Sequence, residues 1–355
     1  MLIQEILKAT RKIISTDCNS FQLDLFQYVI DYYKSEIKPE LVLCNSFDKS
    51  ATSMNANGWY VVYDVHLSDI LLLANKIYYG EYSEKSSRKL IYRLYAEELL
   101  LINKLNSSDY CLKKYLELVN PIGSNEISEK KIREITNIQE LFVVSHELCH
   151  LYHFSTVDNK KRKVLLDDKL DLFNKYFDDL MGEGLGNQDA VIFGLIKDYL
   201  NVNKKLIEEC ICDIFATSYI MSNYMVLYPE YELTTTQISE CIFLSISVLQ
   251  LICFMKYELS SGDQDKSEYK DLELTIRQTI LMKYISDYYF EFDSNNCELF
   301  ELERPKWQKK YNDRIMSVFR NVSDDVFQKY FNENGFSFLS SEWIAMHDEI
   351  IKKLI

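Results

Sequence analysis

Residues 146–150 read His146-Glu147-Leu148-Cys149-His150, two imidazoles four positions apart with a carboxylate beside the first. An α-helix advances about 100° per residue, so His146 and His150 stand one turn apart on one face and can offer two ring nitrogens to one cation. Glu147 is turned aside, where it reaches a water on that cation rather than the cation itself. Such a trio suits metal-assisted hydrolysis, with the glutamate as base. The chain has 355 residues and only five histidines, so composition alone does not account for two of them at this spacing around a glutamate.

A catalytic zinc ion takes three protein ligands and leaves the fourth position to water, so one ligand must come from elsewhere. Glu209-Cys210-Ile211-Cys212-Asp213 supplies it. On a helix over 204–225, Glu209, Asp213, Ala216 and Ile220 share one narrow face; Glu209 is the expected ligand, and Asp213 can accept the other ring N–H of a ligand histidine. Glu208 points about 100° away and reads as a surface group or outer helper. His153 shares the face of the histidine pair but lies about 10 Å along the axis from His146, too far to close on one ion, and is expected to line the cleft. Cys149, about 60° off, reads as a packed thiol. A donor for developing oxyanion charge is expected beside the metal. Arg277, in the otherwise apolar stretch 274–281, is preferred for it over Tyr219 and His66.

The two motifs together resemble the gluzincin side of the zincin metallopeptidases. More narrowly, Glu209 to Ala216 looks like the ExxADxFA segment of ImmA/IrrE-type bacterial peptidases, with Cys212 where alanine is usual and Cys149 where a small residue precedes the second histidine. The resemblance implies His146, His150 and Glu209 as zinc ligands, Glu147 as base and Asp213 as the acceptor behind a ligand. The extended metzincin pattern is excluded, because its glycine and histidine positions hold His153 and Thr156. The resemblance covers 51–64 and 138–220, and an inserted helical pair over 161–200 accounts for the long gap between the motifs. An HExxH in a large helical chain is also similar to the phage-exclusion Lit peptidases. These families are regulated intracellular proteases of stress response or phage defence, which implies a protein or peptide substrate and a regulatory partner.

The elements that must position these residues are mostly helical. Hydrophobic residues make up 47% and charged ones 26%, with only 9 glycines and 4 prolines, the balance of a globular chain of helices with short connections. Apolar spacing predicts helices over 2–15, 21–35, 67–79, 87–105, 108–119, 128–155, 161–180, 189–200, 204–225, 236–259, 267–292, 305–320 and 340–354. Between 40 and 64 the texture is β-like: Leu41 to Cys44, Ala51 to Met54, an Asn57-Gly58 turn, then Trp59-Tyr60-Val61-Val62-Tyr63. The expected class is mostly α with a small antiparallel or mixed sheet (α+β), a zincin-like core inside a large helical chain. The expected division is 1–66 (helices and sheet), 67–230 (metal-binding core) and 231–355 (packed C-terminal helices). With so little β-structure, the strand Trp59 to Tyr63 is expected to leave an edge unpaired, on which an extended peptide could align; the resemblance points to the same strand.

A net charge of −14 opposes a phosphate backbone, so no nucleic-acid partner is expected. Nine cysteines, none in a C-x-x-C pair, read as reduced thiols; with no signal peptide visible, a cytoplasmic location is expected. The most apolar window, Cys241 to Met255, is read as about 15 residues, short of the ~20 that span a bilayer, so no membrane association is expected. Two rival functions remain: a zinc-binding regulatory or scaffold protein without protease activity, and a zinc hydrolase of a non-peptide amide. The intact Glu147 speaks against the first, since a structural site has no use for it.

Overall fold

A computed structural model describes residues 13–14, 20–33, 37–46, 48–80, 83–118, 127–155, 159–182, 187–227, 231–260 and 264–334. It is mostly helical with one small mixed sheet, as the composition and the β-like texture of 40–64 predict. The strands are β1 (Ile13–Ile14), β2 (Glu40–Asn45), β3 (Ala51–Asn55) and β4 (Trp59–Asp64). The helices are α1 (Ser20–Tyr33), α2 (Val65–Tyr79), α3 (Glu84–Leu101), α4 (Leu105–Glu117), α5 (Glu129–Cys149), α6 (Asn159–Gly182), α7 (Asn187–Val202), α8 (Lys204–Leu227), α9 (Thr235–Ser260), α10 (Gln264–Phe292), α11 (Ser294–Tyr311) and α12 (Ser317–Asn334). Two stretches of wider π winding, His150–Ser155 and Asn312–Met316, follow α5 and α11 directly.

The sheet order is β1-β2-β4-β3, with β2 parallel to β4 and the other neighbours antiparallel. This overturns the edge expectation for Trp59, Tyr60, Val61, Val62 and Tyr63: β4 is an interior strand, hydrogen-bonded on both sides. The sequence reason is visible in burial, since Val61, Val62 and Tyr63 are all enclosed, the mark of a strand covered on both faces rather than an alternating edge. Among the described residues the open edge beside α5 belongs to β3, which packs against both α5 and the π turn after it.

Asp64 holds that edge strand in place. Its buried carboxylate accepts from Ser46 N (3.2 Å), Ser46 Oγ (2.6 Å), Lys49 N (2.9 Å) and His66 N (3.0 Å), so one side chain both ties the β2–β3 loop and caps α2. Lys49 takes a left-handed backbone (φ 50°) in that loop and sends its ammonium inward, 2.7 Å from Glu98 on α3. The start of β3 is thereby clamped to the helical body.

α5 is the central helix, packed against α1, α2, α8, α9 and the sheet. It begins at Ser128, whose hydroxyl accepts from Lys131 N (3.2 Å) with Glu129 in the first turn. A buried amide pair fixes its register on α2: Asn75 Nδ2 donates to Gln139 Oε1 (2.7 Å) and Thr136 Oγ1 (2.9 Å). The main apolar core draws residues from Phe26 to Val326, on all three expected stretches. A second core gathers Phe173, Phe177, Ile196, Leu200, Leu206 and Ile207 from α6, α7 and the start of α8, with Cys149 and Phe154 beside the metal motif. The helical pair expected over 161–200 is α6 and α7, and it builds this second core.

Three boundaries differ from expectation. Ile13 and Ile14, placed in a helix by their spacing, pair with β2; the rest of 2–15, and 340–354, lie outside the described residues. The helix expected from 305 begins at Ser294 and carries Pro305 inside it; a proline suits a first turn, but here the helix runs through it. The apolar segment of α9 is longer than expected: Thr235–Lys256, 22 residues, would suffice for a bilayer by length and composition, yet 72% of its window is buried in the protein. It is a core helix whose small Ser245 and Ser247 return their hydroxyls to the Cys241 and Phe243 carbonyls.

Candidate metal centre

The two expected motifs meet where α5 crosses α8. His146 and His150 turn their Nε2 atoms toward one another, 3.2 Å apart. Glu209 lies across the gap, Oε2 3.3 Å from His146 Nε2 and Oε1 3.5 Å from His150 Nε2. With metal–ligand bonds of about 2.0–2.1 Å, the donors of a tetrahedral site stand about 3.3–3.4 Å apart. The three groups are therefore spaced as the ligands of one small cation, and two imidazole nitrogens facing each other beside a carboxylate suit a cation between them.

Asp213 is enclosed behind His146, its Oδ1 2.8 Å from Nδ1. The carboxylate lies off the N–H direction, so the contact is short without being a straight hydrogen bond. It still fixes the ring's orientation, leaving Nε2 for the gap. Arg277 of α10 binds Asp213 in a two-pronged fashion, Nε to Oδ2 at 2.8 Å and Nη2 to Oδ1 at 2.9 Å, and places Nη1 3.3 Å from Glu209. Arg277 thus stands at the centre, as its position among apolar residues suggests, but its three nitrogens serve the two carboxylates rather than an open oxyanion position.

The electrostatics follow. Burial would lower the pKa of His146, but the Asp213 and Glu209 carboxylates outweigh it and push the value up to about 10. Burial works against the Glu209 and Asp213 carboxylates in turn; the histidines and Arg277 overcome it and hold both below the usual carboxylate range. Glu147 is half-buried, and among the described residues no hydrogen bond or ion pair engages its carboxylate.

The remaining expected residues sort plainly. Glu208 pairs with Arg162 of α6, away from the histidines, which separates it from Glu209 as the 100° turn requires. His153 is carried off the face of the pair by the π turn and packs edge-on to Phe215, 5.1 Å between ring centroids, with burial lowering its pKa. Tyr219 stacks edge-on with Tyr32, and His66 is bound to Glu97 at 2.9 Å; neither serves the centre. Trp59 to Tyr63 lies inside the sheet.

Sequence reasoning passed over Cys212. Its sulfur and the His146 and His150 nitrogens lie within 4.8 Å of one another, a group able to hold a metal ion. Burial, then the touching Cys149 thiol, push its pKa well up. Glu209, at 3.3 and 3.5 Å from the two imidazole nitrogens, matches a tetrahedral edge, so the carboxylate is the better third donor. The signal was the i, i+3 spacing of Glu209 and Cys212, which puts both on the side of α8 that faces α5. No protein-family model matches the chain, and no curated protein or solved structure matches it significantly.

Proposed function

We propose that this protein is a zinc-dependent endopeptidase with His146, His150 and Glu209 as ligands and Glu147 as general base. The observation that carries the reading is the mutual spacing of the three donor groups, 3.2 to 3.5 Å, beside a glutamate that no other side chain among the described residues engages. Zinc bound there would lower the pKa of its water to about 7 and polarise a scissile carbonyl. The chain's own residues do the rest. Asp213 orients the His146 ring, and Arg277 keeps Asp213 and Glu209 charged in a buried site. Glu147 takes the proton of the attacking water and hands it to the leaving amine. The substrate backbone is aligned by the open edge of β3, whose outward N–H and C=O groups can pair with an extended peptide.

A bacterial stress or phage-defence setting, a regulatory partner and a cytoplasmic location belong to this proposal through the resemblance. Metal analysis of the purified protein should find about one zinc per chain, lost in His146→Ala and His150→Ala. New protein N-termini in cell extract should appear with the wild type and not with Glu147→Gln, which keeps its zinc. A Glu147→Gln variant that cleaves as well as the wild type would remove the base from the mechanism.

A further inference from the structure

We propose that Cys212 is a fourth protein ligand of this centre, so that one cation can be held either with an open position facing Glu147 or closed by the Cys212 thiolate, the closed form being favoured by thiophilic cations. The inference rests on the metal-centre reading above and not on the identity of the substrate. Its basis is the donor set. α5 contributes His146 and the π turn that continues it His150, four positions on; α8 contributes Glu209 and Cys212 at i, i+3, and the sulfur is within 4.8 Å of both imidazole donors. The two facing stretches thus bring four candidate donors to one place.

Burial separates the groups at the two fourth positions. Glu147 is half-buried, whereas Cys212 is fully enclosed against Cys149 in the second core. Three ligands define one face of a tetrahedron, and a cation can sit on either side of it. Toward Glu147 it keeps a water; toward Cys212 it loses one. Closing exchanges the S–H bond of Cys212 for an S–metal bond and releases one proton and one water to solvent, with no electron transferred. The charges favour it in a buried place: a divalent cation is balanced by Glu209 and the thiolate, while Asp213 and Arg277 neutralise one another. Hard cations that prefer oxygen gain little from sulfur, so closure discriminates by softness.

The test uses the full chain loaded with Co2+ or Cd2+. The wild-type Co2+ protein should show a thiolate-to-cobalt charge-transfer band in the near ultraviolet besides its visible d–d bands. Cys212→Ala should lose the first and keep the second, and Cys149→Ala should keep both. The preference for Cd2+ over Co2+ should fall by roughly tenfold or more in Cys212→Ala. X-ray absorption on the unmodified Cd2+ protein gives a check that needs no variant, with one sulfur expected in the coordination shell. Visible d–d bands without charge transfer, or a shell of nitrogen and oxygen alone, would overturn the Cys212 ligand and leave the peptidase proposal standing. Absence of bound cobalt in the wild type would overturn both. A sulfur-bound cobalt centre in a protein without peptidase activity would support this inference and count against the proposed function.

Discussion

At His146 a proton would compete with the proposed cation. Its folded pKa, about 10, lies above the roughly 6.5 of an unfolded chain, so the proton stabilises the metal-free fold fully below pH ~6.5, and that contribution is lost as pH rises through about 10. A cation needs the neutral ring, so its affinity runs the other way, rising by up to roughly tenfold per pH unit over the same window. Chelator competition at several pH values measures this, and a flat profile between pH 6.5 and 9 would show that no proton leaves His146. Arg277 gives a second prediction at this scale. Removing it leaves two buried carboxylates short of their cation, so Arg277→Met should destabilise the metal-free protein by about 3–5 kcal/mol in denaturant unfolding. A loss under 1 kcal/mol would mean that the surroundings already satisfy Asp213 and Glu209. The pairs His146/His150 and Glu209/Asp213 were legible because helical periodicity puts each pair on one face; that the two faces meet was implied by the third ligand a zinc site needs and by the resemblance. Arg277's true partners were not, since they come from a helix 64 positions along the chain.

Periodicity also made most elements readable. α2 through α10 fall within a few residues of their expected spans because each has a sustained apolar stripe between breaks. Strand pairing escaped, because the hydrogen-bond partners of β4 include β2, a parallel neighbour that no local turn signal announces. Under the proposed function the substrate edge is β3, and a proline can be placed there on either an outward or a ladder N–H. Asp64 N donates to Ser50 O, so 50/64 is a hydrogen-bonded pair; alternation makes Thr52/Val62 another and turns the N–H of Ser53 outward. Ser53→Pro should therefore keep the fold and the zinc while lowering cleavage of a long substrate by roughly tenfold or more. Thr52→Pro removes a ladder donor and should unfold at lower denaturant. If the Ser53 variant, folded and zinc-loaded, cleaves at the wild-type rate, β3 does not carry the peptide.

At the scale of the whole molecule, the metal motif lies between two apolar cores. Leu148 and Leu151 belong to the main core, whereas Cys149 and Phe154 belong to the second, so the end of α5 and the π turn after it form a shared wall. The other wall of the centre, the start of α8, is backed by α6 and α7 through Leu206, Ile207 and Cys210, with Arg162 tying α6 to Glu208. This helical pair is thus part of what holds Glu209 opposite the histidines. Phe177 in the second core and Phe300 in the main core are both fully buried, and each should cost about 3–5 kcal/mol on truncation to alanine. Their effects on the metal should differ. Phe177→Ala loosens the packing behind α8 and should weaken zinc binding, because a ligand set keeps its affinity only while its supports hold it in place. Phe300→Ala opens a cavity among Tyr289 and Trp307, contacts of α10 and α11 outside the ligand helices, and should leave zinc affinity within a factor of about two. Denaturation midpoints paired with zinc dissociation constants decide the point: equal stability losses with equal losses of zinc affinity would mean that the second core has no special hold on the centre.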